Sequence, residues 1–467
     1  MKKKVLVLGG GASGLSTAWR LAENKIPVDL IESSTKVGGL ASTVEHGKYY
    51  FDYGPHYFFS ERSEIVRKVM SIYKKYYKHD MLVKHRDVLL SFHGKFLKYP
   101  LSIKNILFEI SIYDSIHIAL SYFKSQAKEY TKQLVNKFTY IDNFETWAKL
   151  NFGEYLYKIF FRPYTEQFWG IKCNKLAPKT LPTSHQLSLI KTLKLVFHKK
   201  IAKKNASLAE RESSLLLRYP PKGIGGVTDS IAKEAKRLGV RFNLGYCVKE
   251  IKRDKSKSFV VTALKNGKIK RFKSDFIVST IPLIPMLGML KPIPPKNIIK
   301  SSKELDFLSF IILYIVVDER EILPSSYLYF VGRPYNRISE INKFSPKMCP
   351  PDENMIGIEI SCKEEDDVWK YSKEQLFEYC IKYLEKDKII KRDEVKKIFV
   401  LKARYAYPIF FKDYGKNLKP IQDYIDSIPN FKVIGRVGEY EYIDIDQCIA
   451  KSFNLVDNIT PKLKGKQ

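Results

Sequence analysis

Short runs of aliphatic and β-branched residues, punctuated by glycine and proline, alternate along this chain with stretches whose apolar positions recur every three or four residues. The first run, Lys4–Leu8 (KVLVL), predicts a buried strand. A glycine-rich turn, 9–14, follows, and Leu15, Ala18, Trp19 and Ala22 then fall at helical spacing. Val28–Glu32 (VDLIE) predicts a second strand. Residues from about 103 to 205 carry amphipathic helical patterning, as at Ile106, Leu107 and Ile110 and again at Trp147, Leu150 and Phe152. The segment Tyr219–Gly226 (YPPKGIGG) leads into a predicted helix, Val227–Leu238, followed by strands near Arg241–Leu244 and Cys247–Ile251. Phe276–Thr280 is a further apolar strand, which Pro282 stops. Residues from about 292 to 400 read as alternating strands with a helix at Lys373–Leu384, and the C-terminal piece as a strand Lys432–Ile434, a glycine-rich turn and a helix Ile445–Ile459. The densest apolar run, Phe307–Val317, is short, β-branched and aromatic, and ends at Asp318, so it predicts a buried strand. No run reaches the roughly 18 apolar residues of a membrane span.

Composition narrows the class. The 467 residues are 45% hydrophobic and 28% charged, which excludes a disordered or collagen-like chain. Six cysteines without a CxxC pair suit neither a disulfide framework nor a zinc site, so a reducing, cytoplasmic setting and no metal are expected. The opening MKKK followed by an apolar run imitates a signal peptide, but glycines interrupt the run. The formal charge of +31 suits a polyanion binder or a protein resting on an anionic membrane. Lysines are nevertheless scattered, with mild clusters at Lys194–Lys204 and Lys391–Lys397, and no finger, RNP-type motif or continuous basic helix accompanies them. Composition drift or peripheral attraction to an anionic membrane is therefore expected, and no specific nucleic-acid partner. The pattern leaves the oligomeric state open.

The first forty residues carry chemistry. Strand, Gly9-x-Gly11-x-x-Gly14, helix, strand and Glu32 follow in the order of a dinucleotide-binding unit. Gly9 permits the tight turn, Gly11 lets the backbone approach a pyrophosphate, and Gly14 lets helix and strand pack closely. Ala12 and Ser13 lie at the helix N-terminus, whose free N–H groups suit an anion, while Glu32, followed by Ser33, can accept from ribose hydroxyls. A second glycine pair, Gly38-Gly39, precedes Leu40 and Ala41; such a pair also suits a hairpin turn.

This second pair resembles the GG segment of FAD proteins in the amine-oxidase, protoporphyrinogen-oxidase and UDP-galactopyranose-mutase group. The resemblance implies an α/β fold: a Rossmann-like FAD-binding domain assembled from three chain segments (1–90, 206–290 and 401–467). A helical insertion (91–205) and a β-rich segment (291–400) would form the substrate domain. Further motifs are similar to those of the mutase: Tyr53-Gly54-Pro55-His56-Tyr57-Phe58, Phe160-Phe161-Arg162-Pro163-Tyr164-Thr165 running to Trp169-Gly170, and Pro334-Tyr335-Asn336-Arg337-Ile338-Ser339-Glu340. Tyr407-Pro408-Ile409 and Gly435-Arg436-Val437-Gly438-Glu439-Tyr440-Glu441-Tyr442-Ile443-Asp444-Ile445-Asp446 complete the set.

By this resemblance the cofactor is non-covalent FAD, reduced during turnover. Its N5 would attack the anomeric carbon of a nucleotide sugar and expel the diphosphate, so that pyranose and furanose forms interconvert for cell-surface polysaccharide. Arg337, Tyr164, Tyr407 and Tyr442 would hold the diphosphate. Trp169 would border the sugar and Phe160 or Phe161 the base. His56 would lie against the flavin ring, with Tyr53, Gly54 and Pro55 beside it. The backbone at Val248 would hold the adenine end, and Gly435, Arg436, Asp444 and Ile445 would flank the flavin and its ribityl chain.

Two departures stand out. Where the mutase carries a mobile-loop arginine about fourteen residues past its tryptophan, this chain has Thr183, with only the Lys191–Lys204 stretch to substitute. Ser102 stands where the mutase has a sugar-contacting asparagine. The Gly223–Gly226 segment also looks more like the oxidase pattern, so an FAD oxidoreductase is the alternative, and a basic scaffold for nucleic acid or membrane a third.

Overall fold

The computed structural model describes residues 3–56, 58, 64–85, 87–92, 95–98, 111–134, 140–180, 216–318 and 320–465. A five-stranded parallel sheet at its centre draws on three distant parts of the chain. Its order is Phe431–Val433, Phe276–Ser279, Val5–Leu8, Val28–Glu32 and Arg241–Leu244. Val5–Leu8 is fully buried, as its uninterrupted apolar sequence requires of a strand covered on both faces. The helix Ala12–Glu23 runs back along the sheet, and the C-terminal helix Ile445–Leu463 packs on it with Trp19 edge-to-face on Phe453 at 5.1 Å. A four-stranded sheet (Cys247–Arg253, Phe259–Lys265, Lys268–Ser274 and Leu290–Lys291) adjoins the parallel one.

The second large element is a seven-stranded sheet ordered Lys397–Pro408, Phe307–Asp318, Glu353–Cys362, Arg337–Glu340, Tyr327–Phe330, Val88–Phe92 and Lys95–Lys98. Phe307–Asp318 is buried from Phe307 through Val317, which accounts for its continuous apolar run. The sequence patterning did not anticipate the last two strands. They join the sheet through parallel pairing of Val88 with Tyr327, so the boundary placed at 90/91 falls inside a strand. The boundary at 400/401 likewise falls inside Lys397–Pro408, which pairs with Phe307–Asp318 along its length. Pairing partners lie hundreds of residues away, and local periodicity does not report them. The helical segment supplies Ile112–Leu134, Phe144–Phe152 and Arg162–Trp169, the last entered through a wider, π-type turn at Tyr157–Phe161.

A hairpin, Thr43–His46 with Tyr49–Asp52, locks the two large elements together. Asp52 at its end is buried and accepts from Thr43 Oγ1 (2.5 Å), Tyr219 Oη (2.6 Å) and the Ile224 N–H (3.0 Å). Its own carbonyl accepts from Tyr314 Oη of the seven-stranded sheet at 2.6 Å. One residue thus ties the hairpin, the YPPKGIGG segment and the sheet. Burial raises the Asp52 carboxyl to about 6, only partly offset by its hydrogen bonds. The unfolded chain ionises at a lower pH, near the ordinary value of about 4, so stability from this group is present in acid and lost as pH rises through 6. Between pH 4 and pH 7 the wild-type protein is expected to lose about 2–3 kcal/mol relative to Asp52→Asn, measured as the pH dependence of the difference in urea unfolding free energy. A pH-independent difference would show Asp52 ionised in the fold.

Candidate active site

The cleft begins at the glycine loop. Gly9 has φ +100°, and a Cβ on Gly14 would overlap the Gly9 carbonyl oxygen, so both are required by the turn and by helix–strand contact. Gly11 differs. A Cβ there would meet nothing nearer than the Gly38 carbonyl oxygen at 4.0 Å, so its open side faces a space between the two glycine turns. Those turns are joined, since the Gly38 N–H donates to the Gly10 carbonyl at 2.7 Å. Gly38 and Gly39 both have positive φ and lead into the turn Gly39–Ala41, with Leu40 packed beside it and the Ala41 carbonyl accepting from Thr228. The glycine pair therefore lies against the loop and does not form a remote hairpin.

Glu32 ends its strand as expected, with one carboxylate oxygen accepting the Gly10 N–H at 2.6 Å and the other the Ser33 hydroxyl and the Ser34 N–H. The Tyr246 N–H donates to the Glu32 carbonyl, which brings the turn before Val248 to the same end of the cleft. Val248 is itself buried. Ser13 sits beside Gly435, whose missing side chain leaves room for its hydroxyl, and the Ser13 carbonyl accepts from Ser452. Ala12 packs partly buried beside it. Asp444 is the N-cap of the helix that starts at Ile445, in a capping box with Gln447.

Farther along, the aromatic and basic residues converge. Tyr329, Arg337 and Glu359 occupy paired positions on three adjacent strands, so their side chains stand on one face of the sheet. The Arg337 guanidinium forms a two-pronged pair with Glu359, Nε to Oε1 at 2.9 Å and Nη2 to Oε2 at 2.8 Å, and Nη1 donates to Tyr329 Oη at 3.0 Å. It also lies over the rings of Tyr327 and Tyr329. Burial works to lower the Arg337 pKa, but the Glu359 carboxylate outweighs it and holds the group firmly charged. Sequence reading treated Arg337 as a free fork for an anion, yet one edge of that fork already belongs to Glu359. Of its five N–H donors, three are engaged among the described residues.

Arg436 is different. Its guanidinium carbon lies 4.3 Å from the Tyr407 ring centre and 4.7 Å from that of Tyr442, and these two rings stack at 5.1 Å. Among the described residues, Nε and Nη2 of Arg436 are buried with no acceptor. Tyr164 feels Tyr329, Arg337, Tyr442 and Tyr407, so all belong to one cluster; burial raises the Tyr164 and Tyr442 phenols, which stay protonated donors. Tyr407 also meets Phe168 and Phe310. His56 is half-buried, and its pKa is lowered to about 4, by desolvation first and then by the Arg436 charge. It is neutral at pH 7. With Nδ1 2.9 Å from the Gly54 carbonyl, Nδ1 carries the proton and Nε2 is an acceptor with no donor among the described residues. Tyr53 is half-buried in the same stretch, and Gly54 has its open side toward the Glu359 carboxylate at 3.7 Å. Pro55 connects Gly54 to His56.

Not every expected residue joins the cluster in the same way. Phe160 stacks with Tyr164 at 5.9 Å, whereas Phe161 packs into Phe152 at 4.4 Å. Trp169 is 4% exposed and lies in the main core against Phe168. Tyr57, Ser102, Thr183 and the Lys191–Lys204 stretch lie outside the described residues. Sequence reading missed Tyr329, Glu359 and Gln167. Gln167 pins the Arg162–Trp169 helix to the turn before Arg337, donating to the Tyr335 carbonyl at 3.0 Å and accepting the Gly332 N–H at 2.7 Å. A signal for Glu359 existed, because a lone carboxylate inside the apolar run MIGIEIS demands a buried partner.

A flavin dinucleotide fits these residues on two observations: the open side of Gly11 between the glycine turns, and the unpaired buried nitrogens of Arg436. Among the described residues no cluster of three or more potential metal ligands exists, and no helix is long and apolar enough to cross a membrane.

Comparison with known proteins adds the family. Residues 12–411 match the family model described as flavin containing amine oxidoreductase. A curated relative, 4,4'-diaponeurosporene oxygenase of Staphylococcus aureus, is 37% identical over 78 residues, which is 16% of this chain and 16% of that protein. The chain thus matches about a sixth of that relative's length. The crystal structure of reduced UDP-galactopyranose mutase superposes with a TM-score of 0.81 over 100% of this chain and 98% of that one, at 19% identity. A protein described as a protoporphyrinogen oxidase from an Exiguobacterium species superposes at 0.74 over 99% of both chains, at 13% identity. These likenesses establish the fold.

The Arg337–Glu359 pair generates a stability prediction. Glu359→Ala leaves a buried guanidinium without its carboxylate and is expected to cost about 3–5 kcal/mol in urea unfolding. The double variant Arg337→Ala/Glu359→Ala should cost less than the sum of the two single variants by at least ~2 kcal/mol. Additive costs would mean that the two side chains do not interact.

Proposed function

We propose that this chain, which belongs to the flavin containing amine oxidoreductase family, is an FAD-dependent, mutase-like enzyme that isomerises a nucleotide-linked sugar between pyranose and furanose forms. The observation that carries this reading is the convergence of two half-buried arginines and four phenols, Arg337, Arg436, Tyr164, Tyr329, Tyr407 and Tyr442, in one cluster. An apolar or amine substrate has no use for so many donors, whereas a departing diphosphate does. The likeness of fold to the reduced UDP-galactopyranose mutase agrees with it.

The residues divide the work by position. Gly9, Gly11 and Gly14, the helix N-terminus at Ala12 and Ser13, and Glu32 would hold the pyrophosphate and ribose of FAD, with Val248 near its adenine. His56, Arg436, Asp444 and Ile445 would flank the ring system. Reduced FAD, when bound, supplies the electron pair for displacement at the sugar's anomeric carbon. The chain's own task is to hold the leaving group and exclude water. Because Glu359 neutralises Arg337, that arginine contributes directed N–H bonds more than net charge, and the protonated phenols of Tyr164 and Tyr442 add hydrogen bonds that need no counter-ion. Phe160, Phe168 and Phe310 wall the phenols from solvent.

A second reading, an FAD oxidoreductase, draws support from the partial match to the Staphylococcus aureus oxygenase. One experiment separates them. Dithionite-reduced protein is incubated without oxygen with UDP-galactose and a panel of nucleotide sugars, and products are resolved chromatographically. Isomerised sugar without net redox change is expected. No binding and no product, with hydrogen peroxide formed from an amine or porphyrinogen in air, would overturn the proposal. Within the mutase reading, Arg337→Ala is expected to weaken UDP binding by about 2–4 kcal/mol, because it removes donors and leaves the Glu359 carboxylate facing the diphosphate. Arg337→Ala/Glu359→Gln should recover about tenfold of that loss by removing the stranded charge, read by calorimetric titration of UDP.

A further inference from the structure

The helix Ile112–Leu134 buries polar groups beside Ile118 and Tyr122 and leaves most of its large apolar side chains outside. The face it presents to the protein is rich in polar groups. Ser125 Oγ donates to the Lys149 carbonyl at 3.0 Å, Gln126 Nε2 to the Leu150 carbonyl at 2.8 Å, and Ser121 Oγ accepts the Tyr155 N–H at 2.9 Å. Asp114 accepts from Tyr155 Oη at 2.7 Å and from Ser111. The approach is close, for a Cβ on Gly153 would come within 2.7 Å of the Tyr122 backbone nitrogen. Outward, by contrast, stand Ile112, Tyr113, Ile116, Leu120, Phe123 and Tyr130, each between 51% and 77% exposed. These are six of the twelve large apolar residues exposed among the described residues, so the exposure is concentrated on one surface.

At 100° per residue the six fall within an arc of about 100°, an unbroken apolar stripe. At their fractional exposure they leave on the order of 800 Å² of apolar surface open, above the few hundred Å² that a monomer ordinarily tolerates in one patch. The charges around the stripe are sorted. Lys124 and Lys128 are exposed along its outer edge, while Asp114 is held on the inner side by Tyr155 and Glu129 is half-buried. Apolar residues bordered by lysines, with carboxylates turned inward, complement an anionic bilayer surface: the aliphatic and aromatic side chains enter the acyl boundary and the ammonium groups meet lipid phosphates. The chain's +31 charge acts in the same direction over longer range.

We propose that the outer face of helix Ile112–Leu134 docks this protein peripherally on an anionic lipid surface. The inference does not depend on the sugar-isomerase reading. Its structural consequence concerns the cleft, because Ile118 on the inner side of the same helix packs in one cluster with Leu156 and Phe160, beside Tyr164 and Tyr329. The phenol-lined wall is thereby backed by the element that meets the membrane.

The test uses the full, flavin-loaded chain in sedimentation with vesicles of phosphatidylcholine alone and of phosphatidylcholine with phosphatidylglycerol. Binding to the anionic vesicles, weakened by salt and at least tenfold weaker to the neutral ones, is expected. Leu120→Glu/Phe123→Glu should abolish binding, and Lys124→Glu/Lys128→Glu should weaken it by on the order of tenfold or more. Both variants should keep the flavin spectrum and the melting temperature of the parent, since each of these side chains is mostly exposed. Should Leu120→Glu/Phe123→Glu lose flavin or melt early, Leu120→Gln and Phe123→Gln singly replace it. The proposal is overturned if wild-type protein ignores anionic vesicles, if the charge variants bind them unchanged, or if the stripe proves to hold a second copy. That last outcome would appear as a dimer broken by Leu120→Glu/Phe123→Glu without vesicle binding.

Discussion

The two-pronged pair between Arg337 and Glu359 is the interaction around which the aromatic and basic cluster is organised. A guanidinium inside a β-sheet is costly unless a carboxylate meets it with good geometry. That geometry exists because Arg337–Glu340 and Glu353–Cys362 pair in the register that sets Arg337 opposite Glu359. A slip of one residue would send one of the two side chains to the other face of the sheet, against the aliphatic cluster of Ile338, Ile358 and Ile360, and strand its partner. Ion pair and register therefore specify each other. Tyr329 on the next strand completes the row, and Gln167 holds the helix that carries Tyr164 against the turn entering it.

The cofactor side follows a different constraint. There the backbone, not a side chain, has to come close to an anion, so glycines and a helix N-terminus dominate. Gly14 is required by contact with Gly9, and Gly11 by the space that it leaves open. Between the two sides lies the hairpin ending at Asp52, the residue that joins Thr43, Tyr219 and Tyr314. His56 and Gly54 follow four and two residues later. The hairpin thus sets how the His56 imidazole and the Glu359 carboxylate are spaced. A neutral His56 results from desolvation beside two guanidiniums, not from any property of histidine alone.

Much of this was legible in the linear pattern. Val28–Glu32 and Arg241–Leu244 occur as strands at the predicted residues, and the glycine loop, Glu32 and the Gly38-Gly39 pair meet at one place because they are local or nearly so. Arg337, Tyr407, Arg436 and Tyr442 were singled out within motifs and do converge. Tyr329 and Glu359 were not, since neither sits in a recognisable motif and each acquires its role from a strand neighbour. Arg337 was read as free for the same reason. Strand Val88–Phe92 went unseen because its partner in the sheet, Tyr327–Phe330, is more than two hundred residues away, and Lys95–Lys98 is a short edge strand that pairs only with Val88–Phe92.

By itself, the order of strand, glycines, helix, strand and acid determined that the glycine turns, the helix N-terminus and Glu32 meet at one place, because those preferences act over a few residues and depend on backbone sterics and capping. The positions of the basic and aromatic residues determined that a donor-rich site was available. Only the tertiary structure decided how that site is charged: which arginine is neutralised by a carboxylate, which keeps unpaired nitrogens, and which histidine is neutral. It also decided that the apolar stripe of Ile112–Leu134 faces outward. Helical periodicity marks an apolar face, but its direction depends on whether the helix's serines and glutamine find partners on the body of the protein, where Gly153 lets the backbones approach, and here they do.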